Sequence, residues 1–128
     1  MIKILMLLLC FPILSYADLE CDNIQVIDQV YQCSRKSLEI NDAKLNQEYK
    51  KLLEGINARY SSHIELRGEY IIKVKLSQRA WVDFRDKNCE VLSYQIDVGT
   101  QAYETSNNSC KDKMTQERVK EIETIANQ

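Results

Sequence analysis

Few side chains in this 128-residue sequence are suited to covalent chemistry: there is one histidine, His63, and five cysteines. His63 follows Ser61 and Ser62. A hydroxyl beside an imidazole becomes a nucleophile–base pair only when a third group orients the ring in a formed pocket. The turn-like surroundings of His63 predict a solvated residue instead. A histidine-based metal site fails for want of a second histidine, and no two of Cys21, Cys33, Cys89 and Cys110 are spaced as zinc ligands usually are. A glycine-rich phosphate loop is also missing. Glu65 and Glu69, like Glu117 and Glu121, stand four apart, a spacing that ordinary solvated helix faces produce constantly. The sequence therefore predicts no catalytic residue, no cofactor and no metal, and a protein that binds rather than turns over.

Where those cysteines work follows from the N-terminal residues. Met1 and Lys3 form a short basic start, Ile4 to Leu14 is an uncharged apolar run, and Ser15-Tyr16-Ala17 places small residues at the −3 and −1 positions of a cut before Asp18. This is the layout of a secretory signal peptide. The run contains Pro12 and falls well short of the roughly 20 residues a spanning helix needs. Leu9 before Cys10 argues against a lipoprotein cut. The expectation is a signal peptide over 1–17 and a single domain over 18–128, exported to the periplasm or beyond, with no membrane span after cleavage. Cys21, Cys33, Cys89 and Cys110 remain, and an even set in a small exported domain reads as disulfides. Four cysteines allow three pairings, and spacing alone does not choose among them.

Loss of residues 1–17 leaves 16 basic and 19 acidic side chains, a net charge of −3, with the two signs interleaved. A nucleic-acid binder would carry a basic stripe; no nucleic acid is expected as a partner.

The elements that carry these residues are predicted to be helices. After Pro12 there is no further proline, and the glycines are only Gly55, Gly68 and Gly99, too few turn residues for an all-β domain. Asp22 or Asn23 is placed to cap a short first helix presenting Ile24, Ile27, Val30 and Tyr31. After Cys33, Leu38, Leu45, Tyr49, Leu52, Leu53, Ile56 and Tyr60 lie at helical spacing along one stripe. Ser61-Ser62-His63 reads as the following turn. A third helix then carries Tyr70, Val74, Trp81 and Phe84, with Trp81 and Phe84 as core anchors and Arg85 or Asp86 tying helices together. Ile72 to Leu76 alternates like a strand, but with no partner strand it is assigned to this helix. Gly99 to Ser109 is polar and reads as a loop, and a last helix from about Lys111 shows Met114, Arg118, Ile122 and Ile125. The fold class expected is all-α: an antiparallel hairpin of long helices with shorter helices at its ends.

Four segments resemble the LprI-like family of small exported proteins, named for a mycobacterial lysozyme inhibitor. Cys21 and Cys33 bracket the opening segment. Asp42-Ala43-Lys44-Leu45-Asn46-Gln47-Glu48-Tyr49 is similar to the family's Asp-x-x-Leu-Asn-x-x-Tyr helix. Gln78-Arg79-Ala80-Trp81, then Arg85-Asp86 and Cys89, follows its Gln-x-x-Trp…Arg-Asp…Cys segment, and Cys110 with Thr115, Glu117 and Arg118 its closing helix. The resemblance implies a helical, disulfide-bonded domain of the bacterial envelope. It also favours the pairing Cys21–Cys33 and Cys89–Cys110. The first pair requires a break in the helix, because twelve unbroken helical residues would separate the two by about 18 Å, beyond disulfide reach.

For function the resemblance implies a protein-binding module that inhibits lysozyme-type cell-wall hydrolases. Lysozymes are strongly basic, so an acidic inhibitor gains steering. Tyr94, Asp97, Tyr103 and Glu104, around the polar 99–109 loop, are the contact candidates, since tyrosine is favoured in binding surfaces. Two alternatives share size, export and disulfides: an immunity protein against a peptidoglycan-degrading toxin, and an envelope domain with no hydrolase target.

Overall fold

A computed structural model describes residues 21–128; the signal peptide expected over 1–17 lies outside the described residues. Three helices follow one another: α1 (Ile27–Arg59), α2 (Ile64–Leu92) and α3 (Gln101–Ala126). At 1.5 Å per residue they are about 50, 44 and 39 Å long. The described residues contain no strand, and the alternating stretch Ile72–Leu76 lies within α2 as expected.

Cross-helix contacts define the topology. Asp28 meets Gln101, Ser37 and Asn41 meet Asp112, and Arg59 meets the carbonyl of Ala126. α1 and α3 therefore run parallel, in register along their whole length. α2 runs antiparallel to both, through Asp42–Arg85 and Ser93–Ser106. The buried core is Leu45, Leu52 and Ile56 of α1 against Val119 and Ile122 of α3, with Tyr49, Tyr70, Val74 and Trp81 packed on it. The stripe read along α1 is thus the core stripe. Its main counterpart is α3, and α2 lies more loosely alongside.

Two boundaries and one core assignment differ from the sequence reading. No separate first helix forms. α1 starts at Ile27 and passes unbroken through Cys33. The break lies before it, where Gln29 Oε1 accepts the amide N–H groups of Gln25 (2.7 Å) and Val26 (3.1 Å). That cap lets residues 21–26 double back, so that the Cα atoms of Cys21 and Cys33 stand 5.7 Å apart and their sulfurs bond.

Residues 101–109 are helix rather than loop. Thr100 caps α3, its Oγ1 accepting the Tyr103 N–H at 3.2 Å, and Gly99 takes the left-handed φ of 85° that the turn into the cap requires. The first three turns of α3 bury small polar residues in place of an apolar stripe. Asn107 is buried, the Ser93 hydroxyl bonds that of Ser106 at 2.9 Å, and Cys110 is joined to Cys89.

Phe84 is also not a core anchor; it is 59% exposed on the outer face of α2. The inward position one residue later belongs to Arg85, which needs polar partners from both other helices.

Candidate functional site

Two places concentrate chemistry, and they treat charge in opposite ways. The first is midway along the bundle. Arg85 is buried, and its Nη1 donates to Asp42 Oδ1 of α1 (2.8 Å) and to Thr115 Oγ1 of α3 (3.0 Å). Its Nε donates to Asp86 at 2.9 Å. One planar guanidinium thus ties three helices together, a task its fork geometry suits. Trp81, half-buried one turn earlier, lies between two cations, with Arg85 Cζ 5.3 Å and Arg118 Cζ 5.7 Å from its ring centroid. Arg118 is held in turn by Gln78, Ser77 and Glu121. Among the described residues no buried side-chain nitrogen or oxygen lacks a hydrogen-bond partner. This cluster is a satisfied structural clamp, and it gathers Asp42, Gln78, Trp81, Arg85, Thr115 and Arg118 from three of the family-like segments. The expectations that Arg85 ties helices and that Trp81 packs on the core both hold.

The remaining catalytic suspects are dispersed. His63 is exposed at the start of α2, with its Nδ1 3.1 Å from the Ser62 hydroxyl. Among the described residues no group of three or more His, Cys, Asp or Glu is placed to hold a metal ion. A cleft of about 610 Å³ opens where α1 and α2 splay apart, lined by Tyr49, Leu53, Gln78, Val82 and charged neighbours such as Lys75 and Asp86. It contains neither histidine nor cysteine.

The second place is the disulfide-bonded end, where α1 begins, α2 ends and α3 begins. Both disulfides lie there, Cys21–Cys33 and Cys89–Cys110. They fix the opening segment and the 93–100 connection against the helices. Of the four contact candidates, Tyr94 and Asp97 lie in that connection, and Tyr103 and Glu104 lie in the first turn of α3. Tyr94 is 86% exposed, Asp97 and Glu104 are exposed, and Tyr103 is half-buried. The fold thus keeps all four at one end, though two are on a helix.

Two further properties of this end escaped the sequence reading. The segments 21–34 and 88–110 carry Asp22, Asp28, Glu90, Asp97 and Glu104 but no lysine or arginine. Over the whole chain the signs interleave; within these two segments every charged side chain is acidic, with Lys87 and Lys111 directly flanking the second. The signal was present as two cation-free stretches, but they are far apart in sequence and only the fold joins them. The tip also exposes Ile27, Val91, Leu92 and Val98 beside Tyr94. A hollow of about 340 Å³ between α1 and α3 is lined there by Ile27, Val30, Gln101, Ala102, Thr105 and Ser106. Asp28 accepts a bond from Gln101 at its edge (3.0 Å).

A three-helix bundle stapled by two disulfides, with a structural polar clamp, belongs to the class of small all-helical disulfide-bonded domains. Its family is shown by sequence. The family described as "Lysozyme inhibitor LprI" matches residues 21–122, and the chain belongs to it. It is 35% identical over 78 residues to a protein of Escherichia coli K12 called "Uncharacterized protein YecT", a match covering 56% of this chain and 45% of that protein. The chain thus spans less than half the length of that relative. In fold it resembles the crystal structure of a DUF1311 family protein from Pseudomonas putida KT2440. The TM-score is 0.72 at 21% identity, covering 83% of this chain and 99% of the other.

Proposed function

We propose that the protein is a non-catalytic inhibitor of a lysozyme-type cell-wall hydrolase and binds it through the acidic tip. The observation that carries this reading is the coincidence, at one end, of two segments whose charged side chains are all acidic and a set of exposed apolar side chains. A basic hydrolase is drawn to such a surface from a distance by charge and is held at contact by apolar burial. Tyr94, Asp97 and Glu104 stand on this surface, with Tyr103 supporting it from the first turn of α3. The hollow beside Ile27 and Val30 offers room for one partner side chain. Family membership supports the partner class, and paired thiols suit an oxidising compartment such as the periplasm or the exterior, where such hydrolases act. The 18–128 segment is taken as the working domain, released by removal of 1–17. No helix of the described residues is long and apolar enough to cross a membrane.

The deciding experiment is affinity capture of a panel of lysozymes on the oxidised protein, followed by titration of their muramidase activity. The expected result is retention of at least one lysozyme and stoichiometric loss of its activity. Retention that survives neutralising Asp97 and Glu104 together, at low ionic strength, would place the contact elsewhere.

A further inference from the structure

The cleft between α1 and α2 has a neighbour. A smaller hollow of about 200 Å³ lies on the core side of α2, where Leu52, Tyr70, Val74, Ile122 and Ile125 line it. Tyr49 and Gln78 line both spaces, so these two side chains form the partition between them. The outer cleft, at about 610 Å³, falls within the roughly 300–1,000 Å³ of small-molecule sites. The inner hollow is walled mainly by apolar side chains. Two of its polar neighbours are already joined, Arg118 donating to Ser77 at 3.2 Å. Water in such a space finds few partners.

The polar groups of the outer cleft are unevenly engaged. Asp83 is bonded to Lys87 (2.8 Å), and Asp86 to Arg85 (2.9 Å), with Lys111 3.7 Å away. Lys75 and Arg79 stand one turn apart on the same wall, and among the described residues neither has an ion pair or a hydrogen bond. Like charges four apart on a helix repel each other, and an anion between them removes that repulsion. Gln78 adds a donor. Its side-chain oxygen accepts from Arg118 at 3.1 Å, while its NH2 group has no partner among the described residues. The Tyr49 hydroxyl is unpaired in the same sense. The carboxylates of the cleft are thus occupied, and its donors are open.

We propose that the paired cavity binds a small anion with an apolar body, a medium-chain acyl carboxylate. Its carboxylate sits between Lys75 and Arg79, and its chain passes between Tyr49 and Gln78 into the hollow beside Ile122. A guanidinium receives a carboxylate at two points, and the ammonium adds charge. Burying the chain stabilises the complex in proportion to the methylenes enclosed. A neutral chain would leave the cations unmatched, and a short anion would leave the hollow unfilled, so the site calls for both parts in one molecule. It lies midway along the bundle, apart from the acidic tip, and stands whether or not the tip binds a hydrolase.

Titration of the oxidised protein with octanoate, decanoate and dodecanoate, each below its micelle concentration, tests it by calorimetry and Trp81 fluorescence. Trp81 is the only tryptophan, and its ring lies against Arg118, which lines the hollow. Saturable one-to-one binding is expected, tightening about threefold or more for each two methylenes added. Acetate has the head without the chain, and decyltrimethylammonium has a chain with the opposite charge; neither should bind. Lys75→Gln with Arg79→Gln should weaken decanoate binding about tenfold or more. Lys73→Gln, on the opposite flank of α2, should change it by less than about threefold. All three positions are exposed, so unchanged melting curves will separate a lost site from a lost fold. No saturable binding of any of the three acids up to about 1 mM, equal affinity for decyltrimethylammonium, or decanoate binding unmoved by Lys75→Gln with Arg79→Gln would each overturn the proposal.

Discussion

Midway along the bundle, charge is drawn inward and matched; at the disulfide-bonded end it faces outward, on segments whose charged side chains are all acidic. Arg85 gives up most of its contact with water and receives Asp42, Asp86 and Thr115 in return. Asp97 and Glu104 stay exposed, in a segment, 88–110, that holds no lysine or arginine. The difference separates two tasks. A buried ionic cluster fixes how helices meet, because any other arrangement strands a charge. An exposed field of one sign does little for stability, but it selects and accelerates an encounter. The residues that resemble a family motif belong mostly to the first task, and those proposed to meet a partner belong to the second.

The clamp should therefore dominate stability. Arg85→Ala leaves Asp42 and Thr115 without their shared donor and should cost about 3–5 kcal/mol, read as a lower urea midpoint. Arg85→Lys keeps the charge but loses the fork, and should recover only part of that. Replacing Cys89 and Cys110 together by serine should cost about 3 kcal/mol in the loop-entropy account. It should also weaken hydrolase binding, since that bond anchors the 93–100 connection bearing Tyr94 and Asp97. Equal loss of stability with full binding would show that the tip does not depend on its staple. Trp81→Ala should cost about 2–4 kcal/mol, below the usual loss for a fully enclosed tryptophan because half of this ring's environment is two guanidinium groups and solvent.

At the tip the order reverses. Asp97→Asn with Glu104→Gln should leave stability within about 0.5 kcal/mol yet slow association with the hydrolase at low salt. Raising salt should slow the unmodified protein more than this variant, because exposed charges are screened beyond about 10 Å at 0.1 M. Matching salt slopes for the two proteins would remove these carboxylates from the encounter. His63→Ala, far from both regions, should change neither stability nor binding.

Much of the fold was legible because it rests on periodicity. Leu45, Leu52 and Ile56 repeat at helical spacing, and the same three are buried in the core. The start of α3 was not legible because Gln101 to Ser109 carries no apolar stripe. That segment is helical through the Thr100 cap, the Ser93–Ser106 bond and the covalent tie at Cys110, and two of these depend on residues elsewhere in the chain. Phe84 was misplaced for a related reason. Hydrophobicity alone assigned it to the core, but the rotation of α2 that brings Arg85 to Asp42 and Thr115 turns Phe84 outward. The contact candidates were chosen from residue type, whereas the meeting of two all-acidic segments, 21–34 and 88–110, arises only in the folded chain.

The central claim is that the acidic tip binds and blocks a basic cell-wall hydrolase. It is tested most directly by titrating purified lysozymes of several types with the oxidised protein, beside its Asp97→Asn, Glu104→Gln variant, at low ionic strength. The account predicts that at least one lysozyme loses activity in proportion to added protein, with a sharp end point, and that the variant needs a clear excess to reach the same inhibition. Full activity of every lysozyme at a large molar excess of the unmodified protein would contradict it.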